Sequence, residues 1–123
     1  MKTEFEQMVS DLIKPGATIL ATLTPEKVNV WHMATGITGE AGELLDAIKK
    51  HVAYNKPLDV VNVVEELGDL EFYMEGLRQA LNITRQETLD RNIEKLRKGT
   101  KEKAARYAAG YSDQAATDRA DKA

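Results

Sequence analysis

Gly39-Glu40-Ala41-Gly42-Glu43-Leu44-Leu45-Asp46-Ala47-Ile48-Lys49-Lys50, with Glu65-Glu66-Leu67-Gly68-Asp69-Leu70 further along, decides how this chain is read. Each stretch sets two carboxylates three residues apart inside an apolar segment of helical period. Positions i and i+3 of a helix point the same way. Glu40 and Glu43 therefore make one acidic pair, and Glu66 and Asp69 another. Four acids on neighbouring helices repel unless a cation stands between them. Oxygen-only ligands suit a hard ion such as magnesium or manganese. The plain alternative is a solvated surface, because charges at i, i+3 are common on helices. Two such pairs, both beside glycines on strongly apolar helices, are less ordinary, and the residues alone leave both readings open.

Working outward, Thr24-Pro25-Glu26 is a helix start, an N-cap followed by proline at the first helical position. The helix is expected over 25–53, ending before Asn55-Lys56-Pro57. Its apolar positions, Val30, Ala34, Ile37, Ala41, Leu44, Ile48 and Val52, step by three or four, and the acids fall on a different face. Gly36, Gly39 and Gly42 crowd that helix, although an interior glycine costs about 1 kcal/mol against alanine. A ligand lying on the helix or tight helix packing would each explain them. Asp59 is placed to cap a second helix over 60–81, whose seam is Val60, Val63, Leu67, Leu70, Met74, Leu77 and Leu81. The short link between the two makes them antiparallel neighbours.

Upstream, Thr3 caps a short amphipathic helix over 3–13 with a stripe of Phe5, Met8, Val9, Leu12 and Ile13. Residues 17–23 read equally as a helical turn or a packed loop. Downstream, Thr84-Arg85-Gln86-Glu87 is a capping box. It opens a helix expected to stop near Gly99, with Leu89, Ile93 and Leu96 inward. Beyond Thr100 comes a tail rich in alanine and charge, in which Ser112 is placed to cap a last short helix. The fold expected is all-α, an antiparallel helical bundle that forms a homo-oligomer. Its helical catalytic domain spans 1–99, and a tail over 100–123 packs on a partner subunit, orders on substrate or stays mobile.

The chain has 123 residues, a net charge of −3, 42% hydrophobic residues and no cysteine. That length fits one domain with a modest core, which pairing would enlarge. Lack of cysteine excludes disulfides and thiolate metal sites and agrees with a cytoplasmic protein. The N-terminus does not read as a signal peptide, and no apolar run reaches membrane-span length. The charge argues against nucleic acid as a partner. A redox di-iron bundle calls for Glu-x-x-His, but neither His32 nor His51 follows a site acid by three. Lewis-acid chemistry is favoured instead.

These residues resemble the MazG family of all-α nucleoside triphosphate pyrophosphohydrolases. The family signature is E-E-x-x-E, a spacer, then E-x-x-D; here 22 residues separate Glu43 from Glu66. The likeness covers residues 28–98 and extends to Gly110-Tyr111-Ser112-Asp113, which is similar to the tail of short phage-type members. One departure stands out: Gly39 occupies the place of the first acid, with Glu65 or Asp46 near enough to compensate. The resemblance implies metal-dependent cleavage of an NTP into NMP and pyrophosphate. Glu40, Glu43, Glu66 and Asp69 would be the ligands of Mg2+, or of Mn2+ in its place. It also implies a homodimer or homotetramer. The phage-type tail leans the substrate toward purine deoxynucleotides such as dGTP or dATP. The alternatives are a dUTP/dCTP pyrophosphatase or a non-catalytic helical nucleotide-binding or interaction module.

Asn92 and Lys95 match positions that hold phosphate or sugar in the family. Lys50, two turns beyond Glu43, suits a phosphate contact or merely offsets the helix dipole. Trp31 suits base stacking, though a lone tryptophan on a bundle helix is the usual mark of a core. His32 suits a base, a phosphate or a polar gap. Tyr73, four residues after Asp69, suits pocket lining or packing.

Overall fold

The structure, a computed structural model, describes residues 1–108. It is all-helical: α1 Glu4–Leu12, α2 Gly16–Ala21, α3 Pro25–Ala53, α4 Val60–Ala80 and α5 Arg85–Ala108. Local hydrogen bonds explain the starts. Thr3 and Glu6 cap each other at α1. The Lys27 N–H donates to Thr24 Oγ1 at 3.2 Å, and the Asn62 N–H donates to Asp59 Oδ1 at 3.0 Å. Thr84 and Glu87 form the box that opens α5. Each cap satisfies donors that a first turn leaves without partners. Past α3 and α4, Asn55 and Asn82 take φ of 52° and 54°, the left-handed stop that asparagine tolerates.

The open segment is helical as α2. The stop expected near Gly99 is wrong, because α5 continues to Ala108. Residues 101–108 are mostly lysine, glutamate, arginine and alanine, all strong helix formers, and they carry the helix past one glycine. The tail match at 110–113 and the helix expected from Ser112 lie outside the described residues. No helix among the described residues is long and apolar enough to cross a membrane.

The chain divides into two compact units, Met1–Ala80 and one beginning at Leu81. Within the first, α3 packs on α4. The pair is antiparallel: Gly36 meets Tyr73 while Met33, earlier on α3, meets Gly76, later on α4. A Cβ at Gly36 would run into the Tyr73 ring, so close helix approach explains that glycine. Gly39, Gly42 and Gly68 face open space.

The packed stripe of α3 is Met33, Ile37, Glu40, Leu44 and Ala47; that of α4 is Val63, Glu66, Leu70, Tyr73 and Leu77. The seam expected on α4 is therefore only half covered, and Val60, Leu67 and Leu81 remain exposed. Among the described residues, Ala47 is the sole buried hydrophobic side chain. One helix facing another covers one stripe of each, and this chain carries more apolar surface than that.

Candidate metal centre

Glu40 comes from the middle of α3, and Glu66 and Asp69 come from α4. One carboxylate oxygen from each lies within 4.8 Å of the others. Glu40 and Glu66 are half-buried, whereas Asp69 is exposed. The expectation of a separate acidic face needs correcting, because Glu40 and Glu66 occupy the packed stripe itself. Steps of three and four from Met33 lead through Ile37 to Glu40, Leu44 and Ala47, so Glu40 holds a core position. Glu43 is exposed and stands outside the three-acid group.

The Glu66 carboxyl titrates above its ordinary 4.5. Desolvation in the seam is the main cause. Contact with the Glu40 carboxyl follows, then the charges of Glu40, Asp69 and Glu43. Between two ionised carboxylates that contact joins acceptor to acceptor, and it becomes a hydrogen bond only when one holds a proton. Glu66 Oε2 is shielded from solvent and has no hydrogen-bond partner. A shielded oxygen without a donor, in a cluster of like charge, fits a hard cation. Oxygens bound to one octahedral magnesium at about 2.1 Å lie roughly 3.0 Å apart when adjacent and about 4.2 Å apart when opposed, so the three acids would draw together around a bound ion.

Residues 30–103 match the family model described as the MazG nucleotide pyrophosphohydrolase domain. The chain belongs to the MazG family. The match spans both acidic pairs and begins after α1 and α2. No curated protein and no solved structure matches the chain. Membership supports nucleoside triphosphate pyrophosphohydrolase chemistry as a class, and MazG domains are in general metal-dependent.

Around the MazG acids the other candidates separate. Tyr73, one turn beyond Asp69, packs over Gly36 and meets Phe72 edge-on at 5.2 Å and His32 at 6.4 Å between ring centroids. Phe72 lies off the apolar seam of α4, and its contact with Tyr73 ties it to this cluster. Trp31 is 68% exposed in the single chain and so stands outside the α3–α4 packing. It follows Val30 by about 100° around α3 and so turns away from the packed stripe. Lys50 Nζ pairs with Asp46 Oδ2 at 3.2 Å on the exposed side of α3. Asn92 and Lys95 stand exposed on α5, in the second unit.

Proposed function

We propose that this chain hydrolyses a (d)NTP to (d)NMP and pyrophosphate, with Mg2+ held by Glu40, Glu66 and Asp69 and with Glu43 completing the set. Mn2+ substitutes. The observation that carries this reading is the three-acid group, built from two helices inside a matched MazG domain. A bound divalent ion supplies positive charge to the phosphate oxygens and lowers the pKa of a water. Glu40 and Glu66 orient that charge from the seam. One of these glutamates also takes the proton of the attacking water at a carboxylate oxygen. Lys50 contacts the phosphates, so that positioning and electrostatics do most of the catalysis; Asn92 and Lys95 match family positions that hold phosphate or sugar. His32 and Tyr73 lie one to two turns along the helices from the acids and receive the base, whereas Trp31 stands on the opposite face of α3.

The preferred substrates are purine deoxynucleotides such as dGTP or dATP, and the protein acts in the cytoplasm. Residues 1–99 form the catalytic domain and 100–123 a tail, although α5 runs through that boundary. The protein works as a homodimer or a dimer of dimers, which covers Val60, Val64, Leu67 and Phe72, each about half or more exposed in one chain.

A panel of NTPs and dNTPs with Mg2+, with products resolved as NMP and pyrophosphate, tests this reading. Pyrophosphate release, fastest with dGTP or dATP, is the expected result. A second reading, a non-catalytic nucleotide-binding module, draws on Gly39 standing where MazG proteins carry an acid. Nucleotide binding without pyrophosphate release across the panel would favour it.

A further inference from the structure

α3 and α4 each bury one stripe against the other, and the two sides of the pair differ in chemistry. Viewed from the start of α3, residues turn clockwise along α3 and anticlockwise along α4, because the helices are antiparallel. At about 100° per residue, His32, Gly36 and Glu43 stand about 60–100° before the packed stripe of α3, and Tyr73 and Asp69 about 40–80° before that of α4. Offsets of one sign place all five on one side of the pair. The Tyr73 ring meets Gly36 and His32, as that placement requires. Leu45 and Val52 stand about 100–120° past the stripe on α3, and Val60, Val64 and Leu67 about 80–140° past it on α4. These five share the other side, and antiparallel pairing brings the end of α3 beside the start of α4. Each is between 48% and 73% exposed. On these two helices the nearest charges of that side stand at its margins. Lys49 lies at the outer edge of α3 by the Tyr54 ring, and Glu71 lies one turn beyond Leu67, paired with Arg78 at 3.8 Å.

We infer that two copies pack this side of α3 and α4 face to face about a two-fold axis, forming a layer of four helices. The patch is the same on both copies, so the contact closes at two and needs no complementary charge. Its five side chains expose roughly 500 Å², which is the apolar share, about 65%, of a homodimer contact burying about 800 Å² per partner. The chain has no other cover to offer. The patch stays open against every described residue, and residues 109–123 hold one large apolar side chain, Tyr111. Two two-helix layers packed together make the four-helix core that a single pair lacks. Asp69, Glu43 and Tyr73 then point away from the contact, so the two acidic sites of the dimer open outward on opposite faces. The inference rests on the self-association proposed above and specifies which side carries it.

Leu45→Lys and Val64→Lys each set an ammonium within the contact, where it has no partner. At a concentration where the parent is a dimer, light scattering should show both variants at the single-chain mass of 13.7 kDa, with helicity unchanged. Leu12→Lys on α1 and Leu96→Lys on α5, at positions 80% and 58% exposed, should remain dimeric. The chain has no cysteine, so an introduced thiol gives a second reading that leaves the patch apolar. The thiol of Leu67→Cys should resist a maleimide in concentrated protein and react on dilution, whereas that of Asp46→Cys, on the outward side of α3, should react at both concentrations. Dimeric Leu45→Lys and Val64→Lys, or a Leu67→Cys thiol equally reactive at both concentrations, would overturn this face while leaving self-association standing. Dissociation by Leu12→Lys or Leu96→Lys alone would assign the contact to α1 or α5 and would also overturn it. A parent that is monomeric at every concentration would overturn both the face and the self-association.

Discussion

Replacing Gly36 by alanine should destabilise the protein, whereas replacing Gly39 three residues later should stabilise it. A Cβ at Gly36 meets Cγ, Cδ1 and Cε1 of the Tyr73 ring at less than contact distance. Those atoms belong to a rigid ring held edge-on by Phe72 and His32, so yielding means leaving that cluster. Overpacking of this kind costs about 1–3 kcal/mol. Alanine in place of an interior glycine returns about 1 kcal/mol of helix propensity. The net for Gly36→Ala is then a loss of about 1 kcal/mol. At Gly39 a Cβ finds open space, and only the propensity gain of roughly 0.5–1 kcal/mol remains. A gap of about 2 kcal/mol between two conservative variants corresponds to a difference of roughly 8 °C or more in Tm for a domain of this size.

Thermal and urea denaturation at one protein concentration measure the gap. A second readout follows from the register. Gly36 lies one turn from Glu40, and Tyr73 one turn from Asp69. Wedging the helices apart there should spread the three-acid group, so Gly36→Ala should also weaken Mn2+ binding while Gly39→Ala does not. Tyr73→Phe should fail to rescue, since the ring itself is the obstacle. Equal melting temperatures for Gly36→Ala and Gly39→Ala would refute the close-approach argument.

Other outcomes follow from the same geometry. Glu40→Gln, Glu43→Gln, Glu66→Gln and Asp69→Asn should each lower pyrophosphate release by about a hundredfold or more with circular dichroism unchanged; near-normal rates in two of the four would break the ligand assignment. Because the Glu66 carboxyl titrates above 4.5, the metal-free folded chain binds more protons than the unfolded one just above that pH. Its stability should therefore fall as pH rises from 4.5 through the raised pKa, and urea titrations of Glu66→Gln should lack that fall. Lys50→Ala breaks an exposed i, i+4 pair with Asp46 and should change stability by no more than about 0.5 kcal/mol, so a clear rise in KM would mark Lys50 as a phosphate contact.

The helix starts were legible because caps are local: Thr24, Asp59 and Thr84 need only the backbone three residues ahead. The acidic pairs were legible for the same reason, since i, i+3 spacing is a property of one helix. Their place in the fold was not. Apolar periodicity on α4 marks Val60, Val63, Leu67 and Leu70 alike, yet only some of these meet α3. Which stripe turns inward depends on the crossing of two helices, and here Gly36 and Gly76 decide it by admitting Tyr73 and Met33. The extent of α5 was misjudged for a different reason: a lone glycine weakens a helix without ending it.

The position of Glu40 and Glu66 carries a cost that the fold does not offset internally. Each occupies a half-buried seam position where leucine would contribute about 1 kcal/mol, a part of the roughly 1.5–3 kcal/mol of full burial. Instead the two carboxyls desolvate and repel one another. A metal-free α3–α4 pair is therefore held by fewer apolar contacts than its sequence affords, with like charge at its middle. An ion that binds only the folded pair adds stability by mass action, about 2.7 kcal/mol at a hundred times its dissociation constant. With an ion held at the proposed site, helix pairing and metal binding would be one equilibrium, and amide substitution of Glu40 or Glu66 would separate them: the repulsion would go and the ion's contribution with it. Such a variant should be more stable than the metal-free parent and indifferent to added Mg2+. That combination distinguishes acids placed for a ligand from acids that merely tolerate the seam.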